Sequence, residues 1–317
     1  MTGKPVLFVT GLGKDLNRAE NMKALFDAYP GEKHFISTHD PNYGDVLGSG
    51  HFGLQVIDVF PTIRGPKTIM VWHAIQGGKY IGLDQKGTYY RKELADLMDY
   101  IVVAGRGGVE MFHQCTGVPK DRILNLGMPR TDRYFAERKE KKNPMLELYK
   151  RVYLFAPTFR GRIDTPMPRI DFEKIDSLLA DNEIFLVKPH PYGRPFDITC
   201  LDHVFQVDRM EPSVNYLYDA DVVITDYSSI IFDGWLMGKP AVLFEKQAGY
   251  VRNRGMYLKY PDEYCPRFAT KEEGMIILAR EARHMMKTEQ DCLDYVADMC
   301  DGHSCERICK LIGEVRT

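Results

Sequence analysis

The chain has 317 residues, 44% of them hydrophobic and 27% charged, with a formal net charge of -2. That length is generous for one core and comfortable for two domains of about 100 to 150 residues each. The balanced charge excludes a general electrostatic grip on nucleic acid, and no apolar stretch approaches the roughly 20 residues of a membrane span.

Residues 1–20 lack the cationic start, apolar run and cleavage site of a signal peptide, so the expected location is the cytoplasm. Residues 5–9 form an apolar run that ends in Thr10-Gly11-Leu12-Gly13-Lys14 and leads into helical spacing over 17–26. Runs at 33–37, 67–72 and 100–103 repeat the strand-then-turn pattern, which predicts a parallel sheet covered by helices. The glycine turn misses both phosphate-binding fingerprints. GxGxxG needs glycine where Leu16 stands, and a P-loop needs glycine at Phe8 and a hydroxyl at Asp15. It reads as a plain glycine-rich turn.

The charged, proline-ended stretch around 136–148 has no apolar period and reads as a linker. Beyond it a second series of strands is expected at 152–156, 184–187, 204–207, 222–225 and 241–244, with helices at 171–180, 212–219 and 228–237. Amphipathic helices are expected over 271–287 and 304–315. The whole predicts an α/β chain of two facing Rossmann-like domains with parallel sheets, residues 1–140 and 141–317.

Four stretches carry chemistry. The run 67–72 delivers His73 to the carboxyl edge of a parallel strand, where open α/β sheets hold their ligands. A histidine there either takes a proton from a hydroxyl near neutral pH or serves as a hydrogen-bonded structural group. Phe185 to Val187 deliver Lys188 and His190 into a loop held out of helix by Pro189 and Pro191. A point charge and a directional donor suit a phosphate, although a solvated turn looks alike. The strand 222–225 ends at Thr225-Asp226-Tyr227-Ser228-Ser229, with the two serines where a helix begins. Hydroxyls and unpaired amides at a helix start bind phosphate, and Ser228 as a simple cap is the alternative. Arg160, in Ala156-Pro157-Thr158-Phe159-Arg160, repeats the placement with a guanidinium fork.

Seven cysteines, an odd number and mostly scattered, read as reduced thiols. The cluster Cys300, His303, Cys305 and Cys309 fits no paired Cys-x-x-Cys zinc spacing. No zinc site is expected there.

In consistent order over about residues 67–309, these stretches resemble the CDP-glycerol glycerophosphotransferase family, the teichoic-acid primases and polymerases of bacteria. The resemblance runs through Trp72-His73-Ala74 with Lys79 and Gly82, Gly127-Met128-Pro129-Arg130-Thr131-Asp132, Ala156 to Arg160, Lys188-Pro189-His190-Pro191, Thr225 to Ser229, Arg254-Gly255, and Asp301-Gly302-His303-Ser304-Cys305-Glu306-Arg307-Ile308. It implies a GT-B fold, an acceptor-binding and membrane-side first domain, and a second domain that binds a CDP-glycerol or related CDP-polyol donor. It puts the catalytic histidines at His73 and His190 and the donor phosphate and nucleotide site at Arg160, Lys188, Thr225, Asp226, Ser228 and Ser229. Lys79, Arg130 and Asp132 are expected to support the acceptor.

The implied reaction moves glycerol phosphate, or a similar polyol phosphate, to a hydroxyl of an undecaprenyl-linked glycan or polymer and releases CMP. No cofactor is demanded and no acidic cluster reserves a metal; magnesium is left open. Ile75-Gln76-Gly77-Gly78 departs from the family's usual versions, which leaves donor and acceptor identity open. Two rivals stand beside this reading: a nucleotide-sugar glycosyltransferase or sugar-nucleotide epimerase of the same architecture, and a non-catalytic lipid-carrier binding protein. With the acceptor in the inner leaflet, the expected location is peripheral on the inner membrane face. The basic and aromatic stretch Lys86-Gly87-Thr88-Tyr89-Tyr90-Arg91-Lys92 is the candidate contact, against the plain alternative of a solvated face.

Overall fold

In the first half, strands β1 (Val6–Thr10), β2 (Lys33–Ser37), β3 (Leu54–Ile57), β4 (Lys67–Val71), β5 (Tyr100–Val103) and β6 (Ile123–Asn125) alternate with α1 (Glu20–Ala28), α2 (Tyr43–Gly48), α3 (Arg106–Thr116) and α4 (Asp132–Ala136). The computed structural model describes residues 3–16, 19–85, 90–136, 143–158, 170–191, 193–245 and 255–316. The six strands form one parallel sheet in the order β2-β1-β3-β4-β5-β6. The chain winds outward from β1 to β2 and then returns to the other side of β1 at β3. The carboxyl ends of β1 and β3 therefore flank a switch point, the place where such sheets open a ligand crevice.

The second half repeats the plan with β7 (Arg151–Phe155), α5 (Phe172–Leu178), β8 (Glu183–Val187), β9 (Val204–Gln206), α6 (Ser213–Asp219), β10 (Val222–Thr225), α7 (Ile230–Leu236), β11 (Ala241–Phe244), β12 (Phe268–Ala269) and α8 (Glu272–Glu281). Its parallel order β12-β11-β10-β7-β8-β9 puts the switch point between β7 and β10. Two such parallel six-stranded units make the fold GT-B.

The compact units are Met1–Glu137 with Asp294–Thr317, and Arg138–Leu293. The first boundary falls inside the expected linker. The C-terminal tail, expected to complete the second domain, packs instead on the first sheet. Helix α9 (Lys287–Val296) crosses the division, and α10 (Ser304–Arg316) lays Ile308, Leu311, Ile312 and Val315 against Val6, Phe8, Leu25, Leu54 and Val71. The spacing 308, 311, 312, 315 is one helical stripe. Burying each of these aliphatic side chains contributes about 1.5 to 3 kcal/mol, so α10 is part of that core.

The single helix expected over 271–287 is broken after Glu281. The Arg267 guanidinium grips buried Glu289 at 2.9 and 3.0 Å and donates to the His284 carbonyl at 2.7 Å. Met286 N–H donates to the same Glu289 carboxylate at 2.7 Å. These bonds hold residues 284–286 out of helix, which the apolar period of the sequence does not reveal.

Candidate active-site residues at the carboxyl edge of each sheet

In the first unit the site is built on Asp58, directly after β3. Its carboxylate accepts from the Thr10 hydroxyl at 2.6 Å and the Gly11 amide at 2.9 Å, tying the ends of β1 and β3 together across the switch point. A side chain at Gly11 would collide with Val59, so glycine permits that approach. Asp58 is wholly buried, and desolvation raises its carboxyl to about 6, against the lowering pull of the Thr10 and Gly11 bonds.

The Asp58 backbone carbonyl accepts from Nδ1 of His73 at 3.0 Å. A carbonyl can only accept, so Nδ1 carries the proton and Nε2 keeps its lone pair. His73 follows β4 at the carboxyl edge, half-buried against the Trp72 ring, with centroids 4.4 Å apart. Burial, with smaller contributions from the charges of Arg130 and Lys79, pulls its imidazole down to about 4; the Asp58 bond opposes this. At pH 7 it is a neutral acceptor. Such an imidazole can take a proton at Nε2.

Arg130 is tied to this strand end in two ways. Its guanidinium donates to the His73 carbonyl, and its amide donates to Asn21 Oδ1 at 3.1 Å, while Asn21 Nδ2 donates to the Trp72 carbonyl at 2.9 Å. Asn21, buried on α1, thus joins the end of β4 to the turn at residues 129–131. Lys79 lies in the same loop, its carbonyl accepting from Gln76 Nε2 at 2.8 Å.

Asp132 is engaged elsewhere. Its carboxylate accepts from the amides of Ser304 and Cys305 at 2.9 and 2.7 Å, at the start of α10. Gly127, at φ 93°, lies so close that a side chain there would meet the Met299 carbonyl and the Ser304 hydroxyl at 2.3 Å. Two of the sequence motifs, 127–132 and 301–308, therefore clasp one another and serve the fold. All seven cysteines are free thiols.

The second unit places its counterparts at the β7/β10 switch point. Thr225 Oγ1 donates to the Ala156 carbonyl at 2.6 Å, and Asp226 Oδ1 accepts from Thr158 N at 2.8 Å and Tyr227 N at 2.7 Å. Both side chains are buried, so their contribution is to fix the two strand ends. Ser228 and Ser229 are only partly buried. Ser229 is the residue before α7 and makes no side-chain capping bond, which leaves its hydroxyl available to an anion.

Lys188 is 2% exposed, and its ammonium donates to the Arg209 carbonyl at 2.8 Å and the Pro189 carbonyl at 3.3 Å. Lys188 thus ties two loops together at the β8 edge and does not lie in a solvated turn. His190 follows it, partly buried, in a turn closed by Gly193 N donating to its carbonyl at 2.7 Å. Arg160 lies outside the described residues.

The basic and aromatic stretch is corrected in part. Tyr90 is core: it is 1% exposed, packs on Phe60 at 4.6 Å between centroids, and donates its hydroxyl to the Thr116 carbonyl at 3.0 Å. Arg91 and Lys92 are exposed, as is Leu83, while residues 86–89 lie outside the described residues.

Sequence reasoning missed Asp58 and Asn21. Asp58 follows a strand whose apolar run is interrupted by Gln55, and Asn21 is one polar residue on a helix; their roles appear only when strand ends meet.

Residues 51–314 match the model of the family described as CDP-Glycerol:Poly(glycerophosphate) glycerophosphotransferase. The chain is 28% identical over 290 residues to the teichoic acid poly(ribitol-phosphate) polymerase of Bacillus spizizenii, covering 81% of this chain and 46% of that one. It is 29% identical over 213 residues to the teichoic acid glycerol-phosphate primase of Bacillus subtilis, covering 61% and 54%. It spans about half the length of these curated relatives. Among solved structures, the wall teichoic acid polymerase TagF superposes with a TM-score of 0.78 at 17% identity, covering 99% of this chain and 89% of that one.

Proposed function

The chain belongs to the CDP-glycerol:poly(glycerophosphate) glycerophosphotransferase family, and from that premise we propose that it transfers glycerol phosphate, or a similar polyol phosphate, from a CDP-activated donor. The acceptor is a hydroxyl of an undecaprenyl-linked glycan or polymer, and CMP is released. The observation that carries this reading is the neutral His73, fixed through Nδ1 with Nε2 left to accept.

In the reaction the acceptor hydroxyl gives its proton to Nε2 of His73 as its oxygen attacks the phosphorus that bears the polyol. A new P–O bond forms, the bond to the CMP oxygen breaks, and its electron pair leaves with CMP. Phosphoryl transfer depends on positioning and on charge stabilisation, and one well-placed donor commonly contributes about 10²- to 10³-fold. His190 and the Ser228-Ser229 helix start supply such donors, Thr225, Asp226 and Lys188 hold their loops in place, and Arg160 adds a guanidinium. Lys79 and Arg130 set the electrostatics around His73. The bond from Arg130 to the His73 carbonyl also holds the base in place.

The test is a screen of CDP-glycerol and CDP-ribitol against lipid-linked disaccharides with and without one glycerol phosphate attached, reading CMP. CMP release that requires acceptor supports the proposal. Release of UDP from UDP-sugars would indicate the related nucleotide-sugar chemistry, and binding of a lipid carrier without turnover would indicate a binding protein.

The same reading puts the protein at the inner face of the membrane, where such an acceptor lies; none of its described helices is long and apolar enough to cross. Exposed Arg91 and Lys92 support peripheral contact, each cation contributing about 1 kcal/mol at an anionic surface. Co-sedimentation with anionic liposomes is expected to weaken in Arg91→Gln/Lys92→Gln and in high salt. Unchanged sedimentation would assign the contact to another surface.

A further inference from the structure

At the amino edge of the first sheet, the end opposite His73, three side chains of metal-ligating type converge: Glu32, His34 and His51. One donor atom of each lies within 4.8 Å of the others, and His34 Nε2 stands 3.9 Å from Glu32 Oε1. The backbone explains the meeting. His34 is the second residue of β2 and Glu32 lies just before that strand, so their i, i+2 spacing along extended chain puts both on one side. His51 comes from the loop that leads into β3, two strands away in the sheet.

That loop is held in place. Gly50 takes φ 68°, its carbonyl accepts from Lys4 Nζ at 2.6 Å, and the His51 amide donates to the Ser49 hydroxyl at 3.2 Å. The Phe52 ring, only 9% exposed, packs edge-on against both imidazoles, 5.4 Å from His34 and 4.8 Å from His51 between centroids, and the imidazoles stand 5.8 Å from each other. The anchored loop and Phe52 limit the ordering that a bound ion must impose.

We propose that Glu32, His34 and His51 form a binding site for a borderline divalent transition ion of the zinc type, separate from the chemistry at the carboxyl edge. Two imidazoles and a carboxylate select zinc, nickel or copper over magnesium, which takes oxygen ligands almost alone. Bonds of about 2.0 to 2.2 Å around a tetrahedral ion put ligand atoms about 3.3 to 3.5 Å apart. Closing from the observed spread takes up to about 1.5 Å, within reach of side-chain rotation because all three residues are exposed. A water completes the fourth position. The ion joins the edge strand β2 to the loop before β3, so its effect is on stability. The roughly 15 Å of strand between the sheet's two ends keeps it from the reacting atoms.

The experiment titrates zinc, with magnesium as control, into the full chain and into Glu32→Gln, His34→Gln and His51→Gln, by calorimetry and thermal melting. Cobalt spectra distinguish nitrogen and oxygen ligands from the cysteine thiolates. One micromolar-range zinc site is expected, with a zinc-dependent rise in Tm, no response to magnesium and no thiolate band with cobalt. Each substitution is expected to weaken zinc binding at least tenfold while leaving the metal-free Tm unchanged. Absence of zinc binding at micromolar concentration, a thiolate band, or equal affinity in His34→Gln and His51→Gln would each overturn the assignment. Glu32→Gln keeps the test decisive if either histidine variant folds poorly.

Discussion

Replacing His73 by glutamine removes the group on which the proposed chemistry rests, and pH makes its signature specific. The imidazole is held near 4 in the fold, with 6.5 as its ordinary value. The sign follows from proton counting. A depressed histidine is neutral in both states above 6.5, and as pH falls below that only the unfolded chain takes up the proton. The native state therefore loses stability between pH 6.5 and 4. At pH 5 the two values correspond to a loss of about 2 kcal/mol, and at pH 7.5 to about zero. Urea unfolding of wild type and His73→Gln at both pH values reads this directly: the wild type should lose about 2 kcal/mol relative to the variant on going from 7.5 to 5. Catalysis gives the companion result. With a base near 4, kcat/KM at pH 6 should stay at its neutral plateau, whereas a histidine of ordinary pKa would leave only about a quarter of the enzyme active. A stability gap independent of pH, together with an acid limb near 6.5, would refute the buried neutral base.

Ser228→Ala/Ser229→Ala should cost under about 0.5 kcal/mol of stability, because Ser229 makes no capping bond, yet weaken CDP-glycerol binding by at least about tenfold in calorimetry. Unchanged affinity would remove the serines from the donor site. Asp132→Ala should do the reverse, losing about 1 to 3 kcal/mol in urea unfolding through the two amides it leaves bare, while activity per folded molecule changes little. A large loss of turnover in a stable Asp132→Ala would instead place that carboxylate at the acceptor.

The strands that carry the site were legible because β1, β4, β8 and β10 are near-continuous apolar runs, the mark of parallel strands buried on both faces. β3 hid because Gln55 sits at its centre. In the fold that amide is satisfied, accepting from Tyr43 and donating to Thr68 at 2.8 Å, a pairing no local pattern reveals. With β3 went the switch point and Asp58, and so the reason His73 is oriented. The tail was recognised as amphipathic, but its stripe does not say which sheet it covers; Asp132 and Gly127 do, from about 170 positions away. Tyr90 misled because an aromatic beside cations looks the same in sequence whether it faces lipid or core. The carbonyls that Lys188 meets were not legible either, because which of them lie within reach is a property of the neighbouring loop.

The central claim is transfer of a polyol phosphate with loss of CMP through His73. A single-turnover experiment tests it most directly, using CDP-glycerol labelled in its glycerol, a lipid-linked acceptor ending in glycerol phosphate, and wild-type or His73→Gln protein. The account expects label on the acceptor and CMP in equal amounts, with the variant slower by at least about 100-fold though folded. Label that never reaches acceptor, or transfer at wild-type rate by His73→Gln, would contradict it.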